Sequence, residues 1–163
     1  MFATLGYMDT DERLRETAEK LALILAQGGM QKMTARVMTC LLYSRQEAMT
    51  AADLCEELSI SSGTVSTAIK QLIPSGLVER VPAPGSRRDH YRFRRGAWPA
   101  LMSQQNALLA VMRDAAREGI DVVGEDSLTG RRLHEMQDFY AYMLEELVPL
   151  IDKWRERYIA TSG

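Results

Sequence analysis

The sequence predicts a mainly α-helical chain carrying one small β-hairpin, and three observations lead there. Its 163 residues are rich in Leu, Met and Ala and poor in long β-branched runs, a composition that favours helix. Apolar residues recur at steps of three and four along most of the length. The exception is Leu77–Phe93, where two short apolar segments flank a loop of Pro, Gly and Arg, the pattern of two strands and a turn. A chain of this size can bury one core and carry extensions beyond it.

The first helix is expected over Asp11–Gln27, with Leu14, Ala18, Leu21, Ala22, Leu23 and Ile24 set among charges. Gly28-Gly29 terminates it. A second helix, from about Met30 to Tyr43, turns Met33, Val37, Met38, Leu41 and Leu42 toward a core and carries Lys32 and Arg36 on one side. Thr50 and Asp53 have the spacing of a capping box and open a third helix with Ala51, Leu54 and Leu58 along one face. Ser59-Ile60-Ser61 makes a tight turn, with Ile60 placed to plug the core and Ser61 as the next N-cap.

The fourth helix divides cleanly. Val65, Ala68, Ile69 and Leu72 form a buried stripe, while Ser62, Gly63, Ser66, Thr67, Lys70 and Gln71 occupy the opposite face. A merely solvated face carries Glu and Lys more often than small hydroxyl residues. Small hydroxyls let a helix enter a major groove about 12 Å wide and donate to phosphates or base edges. The strands then expected at Leu77–Val81 and His90–Phe93 enclose Pro82–Asp89, whose tip holds Gly85, Ser86, Arg87 and Arg88. Helix, turn, helix and hairpin in that order make a winged helix-turn-helix, with Arg87, Arg88 and Arg92 as wing contacts and Lys32 and Arg36 as further backbone contacts. Asp89 is placed to brace an arginine.

Charge distribution agrees. The chain has a formal net charge of −2, yet Ser61–Gly96 holds seven basic against two acidic residues, and Ala97–Gly163 seven basic against eleven acidic. A basic module joined to an acidic helical one fits a protein that meets phosphates with one part and itself with another.

Beyond the hairpin, a helix is expected over Trp98–Glu118, a link over Gly119–Ser127 and a long helix over Leu128–Tyr158 containing Pro149. The last carries Leu133, Met136, Tyr140, Met143, Leu144, Leu147, Leu150, Ile151, Trp154 and Tyr158 in one stripe, longer than a small winged helix can cover. Homodimerisation through this stripe accounts for its length, an intramolecular bundle being the alternative. The expected organisation is residues 1–29 as an N-terminal helix contributing to dimerisation, 30–96 as the DNA-binding domain and 97–163 as a C-terminal dimerisation region.

Site chemistry does not rise above background. His90 and His134 stand in no metal-ligand pattern, Glu145 and Glu146 are adjacent and point to different sides of a helix, and Gly-rich phosphate loops are absent. The expected protein is therefore not an enzyme and needs no cofactor or metal. Cys40 and Cys55 read as small buried hydrophobes in a reducing compartment. With no apolar run of membrane-spanning length and no signal-peptide layout, a cytoplasmic location without membrane contact is expected.

The run from Met30 to Phe93 resembles the MarR-like winged-helix regulators, in particular the subgroup named after the glycine betaine synthesis repressor GbsR. The likeness rests on the second helix with Arg36, on Leu54–Leu58, on Ser61-Ser62-Gly63-Thr64-Val65-Ser66, on Leu72 with Gly76-Leu77-Val78, and on Pro84-Gly85-Ser86-Arg87 followed by Tyr91. It implies a homodimeric transcriptional regulator of double-stranded DNA, usually a repressor, with interlocking terminal helices. Ser61, Ser62, Gly63, Thr64, Ser66, Thr67 and Lys70 would form the reading face and Arg87 the wing tip. In the wider family small phenolic or lipophilic effectors bind near the junction of the two parts, and Trp98, Met102, Tyr140 and Met143 would line such a pocket. Alternative readings are a winged-helix protein-interaction module, or an activator or nucleoid-type DNA binder.

Overall fold

The computed structural model describes the backbone of residues 2–162 and the side chains of residues 10–161. In order the elements are α1 (Phe2–Gln27), α2 (Lys32–Tyr43), β1 (Met49–Thr50), α3 (Ala51–Leu58), α4 (Ser62–Leu72), β2 (Val78–Val81), β3 (His90–Phe93), α5 (Ala97–Val123) and α6 (Leu128–Ser162). They fall into two compact units, Met1–Ala97 and Trp98–Gly163.

The first unit is built on local signals that agree with one another. At the start of α3 the Asp53 N–H donates to Thr50 Oγ1 at 3.2 Å and the Thr50 N–H donates to Asp53 Oδ2 at 2.7 Å, a complete capping box. α3 ends at Ser59, which takes a left-handed φ of 53° and donates its N–H to the carbonyls of Cys55 and Glu56. Two residues later Ser61 caps α4, its Oγ accepting from the Thr64 N–H at 3.2 Å. Ile60 between them is only half-buried, so the expected plug is partial. The core is instead filled by Val37, Met38, Leu54, Val65, Leu72, Leu77 and Val78, each at most 1% exposed. Such a side chain stabilises by about 1.5–3 kcal/mol when fully buried.

The hairpin has a third strand that the sequence reading did not contain. β1 pairs antiparallel with β3, Met49 opposite Tyr91 and Thr50 opposite His90, giving the sheet order β1-β3-β2. β3 also pairs with β2, Val78 opposite Phe93 and Val81 opposite His90. Two residues carry too little period for a strand to be seen in the sequence. Their effect is to anchor the wing base at the entrance to α3.

The second unit is a helical hairpin. α5 runs through the expected link at Gly119 and ends at Val123; the break falls at Gly124, whose φ is +78°. Gly119 lies inside α5 with Leu133 of α6 against it, where a Cβ would come within 2.6 Å of Leu133 Cδ1. At the turn, Ser127 Oγ donates to the Gly124 carbonyl at 3.0 Å and accepts from the Gly130 N–H at 2.8 Å. A Cβ at Gly130 would collide with the Gly124 carbonyl oxygen. Farther along, Arg155 Nη2 donates to Ser103 Oγ at 3.1 Å, so the two helices run antiparallel past one another. α6 continues through Pro149 to Ser162.

Candidate nucleic-acid interface

The reading face of α4 sorts into committed and uncommitted groups. Ser61 Oγ and Thr64 Oγ1 are 2.8 Å apart and serve the cap. Thr67 Oγ1 donates back to the Gly63 carbonyl at 3.0 Å. Ser62, Ser66 and Lys70 are exposed, and among the described residues their side chains have no protein partner. Beneath them Val65, Ala68, Ile69 and Leu72 are all buried, which fixes the rotation of the helix and keeps the polar face outward.

The wing sorts the same way. Gly85 turns the tip at φ +78°, and the Arg88 N–H donates to Ser86 Oγ at 3.1 Å. Arg87 and Arg88 are exposed and make no ion pair among the described residues. Arg92 is different: its Nε donates to Glu79 Oε1 at 2.7 Å and its Nη1 to Glu47 Oε1 at 3.3 Å. It braces the sheet and has little charge to spare. Asp89 does brace an arginine, namely Arg80 on β2 at 3.6 Å, whose guanidinium also lies 6.0 Å from the centre of the Tyr91 ring.

The two cations expected on α2 also part company. Lys32 is exposed in the first turn, whereas Arg36 is tied to Glu19 of α1 at 2.8 Å. Arg36 belongs to a set of pairs that fasten α1 to the winged helix, with Arg15 to Glu57 on α3 and Arg45 to Asp11, each at 2.8 Å. These pairs surround a cavity between α1, α2 and α3, lined also by Leu14, Ala18, Cys40, Tyr43 and Met49. Desolvation there pushes the Cys40 thiol up to about 11. On α3, the Thr50 N–H holds the Asp53 carboxyl below the ordinary carboxylate range, aided by the nearby charges of His90 and Arg88.

The four residues expected to line an effector pocket do not converge within one chain. Met102 adjoins Ser103, which meets Arg155, while Met143 sits about 18 Å back along α6 at the helical rise per residue. Trp98 and Met102 thus lie toward one end of the hairpin, and Tyr140 and Met143 toward its middle. Among the described residues there is no group of three or more His, Cys, Asp or Glu that could hold a metal ion, and no helix long and apolar enough to cross a membrane.

A capped helix-turn-helix with its polar face outward, flanked by a three-stranded wing with an arginine tip, defines a winged helix-turn-helix DNA-binding protein. Two family models match successive stretches of the chain. Residues 29–89 match the MarR family, and residues 96–157 match the MmpR5-like MarR family transcriptional regulators. The chain is a MarR-family transcriptional regulator, and regulators of this family are not catalysts. It is 27% identical over 151 residues to the HTH-type transcriptional regulator MmpR5 of Mycobacterium tuberculosis, covering 92% of each chain. It is also similar to a solved transcriptional regulator, with 27% identity, a TM-score of 0.76, and 88% of this chain and 99% of that one covered.

Proposed function

We propose that this protein is a homodimeric, sequence-specific repressor that occludes promoter DNA, reading a two-fold site with two copies of α4 and two wings. What carries the DNA contacts in this reading is the contrast in charge compensation. Arg87, Arg88 and Lys70 are exposed and make no ion pair among the described residues, whereas Arg92, Arg80 and Arg36 are held by Glu79, Asp89 and Glu19. Uncompensated cations beside the free hydroxyls of Ser62 and Ser66 are what a phosphate backbone and a groove would meet.

Support for the dimer comes from how little the second unit buries alone. Among its described apolar residues only Pro99, Ala116 and Ile120 are buried, while Phe139, Tyr142 and Leu150 stand at 55%, 59% and 61% exposure. Leu133, Met136, Tyr140, Met143, Leu147 and Ile151 are half-covered, and Trp154, stacked on Tyr158 at 5.0 Å, is 43% exposed. Two long helices with so small a core need a second apolar surface, and another copy of the same hairpin supplies one. Relief by a small apolar or aromatic effector rests on the family likeness alone; a pocket built from Trp98, Met102, Tyr140 and Met143 would draw its walls from two chains. The GbsR-type likeness rests on the Met30–Phe93 run, whereas the match over the C-terminal helices favours the MmpR5-like group.

The test is selection of bound fragments from the source genome, followed by footprinting and sedimentation. A salt-sensitive footprint with two-fold sequence symmetry, over promoters, together with twice the mass of one chain, is the expected result. A Leu150→Asp/Trp154→Ala variant should then sediment as one chain and lose the symmetric footprint. Specific binding by a single chain would refute the dimer, and absence of any footprint would favour a protein-interaction module.

A further inference from the structure

Gln71 lies on the polar face of α4 but outside the reading residues that the family likeness implies, and it occupies the same row as Gly63 and Thr67, four residues apart. It is exposed, but its carboxamide is not free to turn. Thr34 Oγ1, on a residue only 3% exposed, lies 2.6 Å from Gln71 Oε1 and 3.1 Å from Gln31 Oε1. A hydroxyl carries one proton, so only one of these oxygens can accept it, and the shorter contact is to Gln71. Turning the Gln31 carboxamide over exchanges its Oε1 and Nε2 and makes Nε2–H the donor to Thr34 Oγ1. The result is a relay in which Gln31 donates to Thr34 and Thr34 donates to Gln71.

This relay has a chemical consequence on the outer face. With Oε1 turned inward to accept from Thr34, the Gln71 amide directs its two N–H bonds away from α2. An outward-facing pair of N–H donors suits a phosphate, whose oxygens only accept. The placement agrees: α4 spans about 16 Å while the major groove is about 12 Å wide, so with its first turns in the groove its last turn stands at the rim, beside the backbone.

Resting on the DNA-binding reading, we infer that Gln71 is a phosphate-contacting residue and that buried Thr34 is the positioning residue that fixes its amide. Thr34 thereby couples the start of α2 to the DNA-facing side of α4 without touching DNA itself.

The inference is tested on the duplex that the wild-type dimer selects, by titration at several salt concentrations. Gln71→Ala should weaken binding by about tenfold or more, as expected for loss of a hydrogen bond to a charged group at each half-site. Gln71→Glu should weaken it further, because it presents acceptors to phosphate. Thr34→Val should approach the loss seen for Gln71→Ala, Thr34→Ser should restore binding, and Thr34→Val should add nothing in the Gln71→Ala background. The salt slope should not change, since no cation is removed. Thermal unfolding of each variant separates a folding defect from lost contact, and Thr34→Ser keeps the relay testable if Thr34→Val is unstable. Wild-type affinity in Gln71→Ala, or additive losses in the double variant, would overturn the inference while leaving the DNA reading intact if Arg87→Ala/Arg88→Ala still weakens binding. A wild-type protein that binds no duplex would overturn both.

Discussion

Replacing Arg87 and Arg88 together by alanine should flatten the salt dependence of DNA binding, and replacing Arg92 should not. Both wing-tip guanidiniums are exposed without an acidic partner, so each can displace counterions from a phosphate. Arg92 already has Glu79 at 2.7 Å and Glu47 at 3.3 Å, and removing it takes away little net positive charge. Each neutralised phosphate contributes about 0.9 to the slope of log affinity against log salt, so four arginines in a dimer account for about 3.6. Between about 50 and 200 mM salt the wild type should lose roughly 150-fold more affinity than the double variant from this cause. Fluorescence anisotropy on the selected duplex measures it, with Arg92→Ala as the control. An equal loss of slope in Arg92→Ala and in either wing-tip single variant would refute the reasoning from charge compensation.

Three further outcomes are expected. Gly130→Ala should destabilise the hairpin by about 1–3 kcal/mol, typical of overpacking, since its Cβ meets the backbone carbonyl of Gly124, whereas Gly119→Ala meets only the flexible end of Leu133 and should be near neutral in thermal unfolding. Asp53→Asn should cost about 1 kcal/mol at neutral pH, the scale of an N-cap. Because the folded Asp53 carboxyl titrates below its unfolded value, that contribution is present above about pH 4 and lost as pH falls through the folded value, so urea midpoints of the two proteins should converge at low pH. Cys40, with its thiol pushed up to about 11, should react with iodoacetamide at pH 8 about two orders of magnitude more slowly than an ordinary thiol, and at the ordinary rate once unfolded; fast native alkylation would contradict its desolvation.

What could be read in the sequence was what neighbours a few residues apart decide. The Thr50–Asp53 box, the Ser61 cap and the split face of α4 all lie within four-residue spacings. What stayed hidden depends on contacts across the chain. Arg36 and Arg92 look like free cations until Glu19 and Glu47, 17 and 45 residues away, are brought to them. Gly119 looks like a helix breaker until Leu133 is seen against it. The levels at which the residues expected around an effector lie were hidden for a related reason. Periodicity gives the face on which a residue lies but not its level along a partner helix, and that level is set by the turn at Gly124–Ser127.

The ion pairs along α1 make that helix a handle on the reading head. Arg15–Glu57, Glu19–Arg36 and Asp11–Arg45 grip α3, α2 and the loop after it from one side of α1, and Ala18 and Ala22 lie buried. Farther along the same helix Leu23 and Ile24 stand 54% and 62% exposed. From α2 the contacts continue through Thr34 and Gln71 to the end of α4. The outer side of α1 is thus joined to the reading helix by an unbroken chain of polar contacts that lies outside the helix-turn-helix itself.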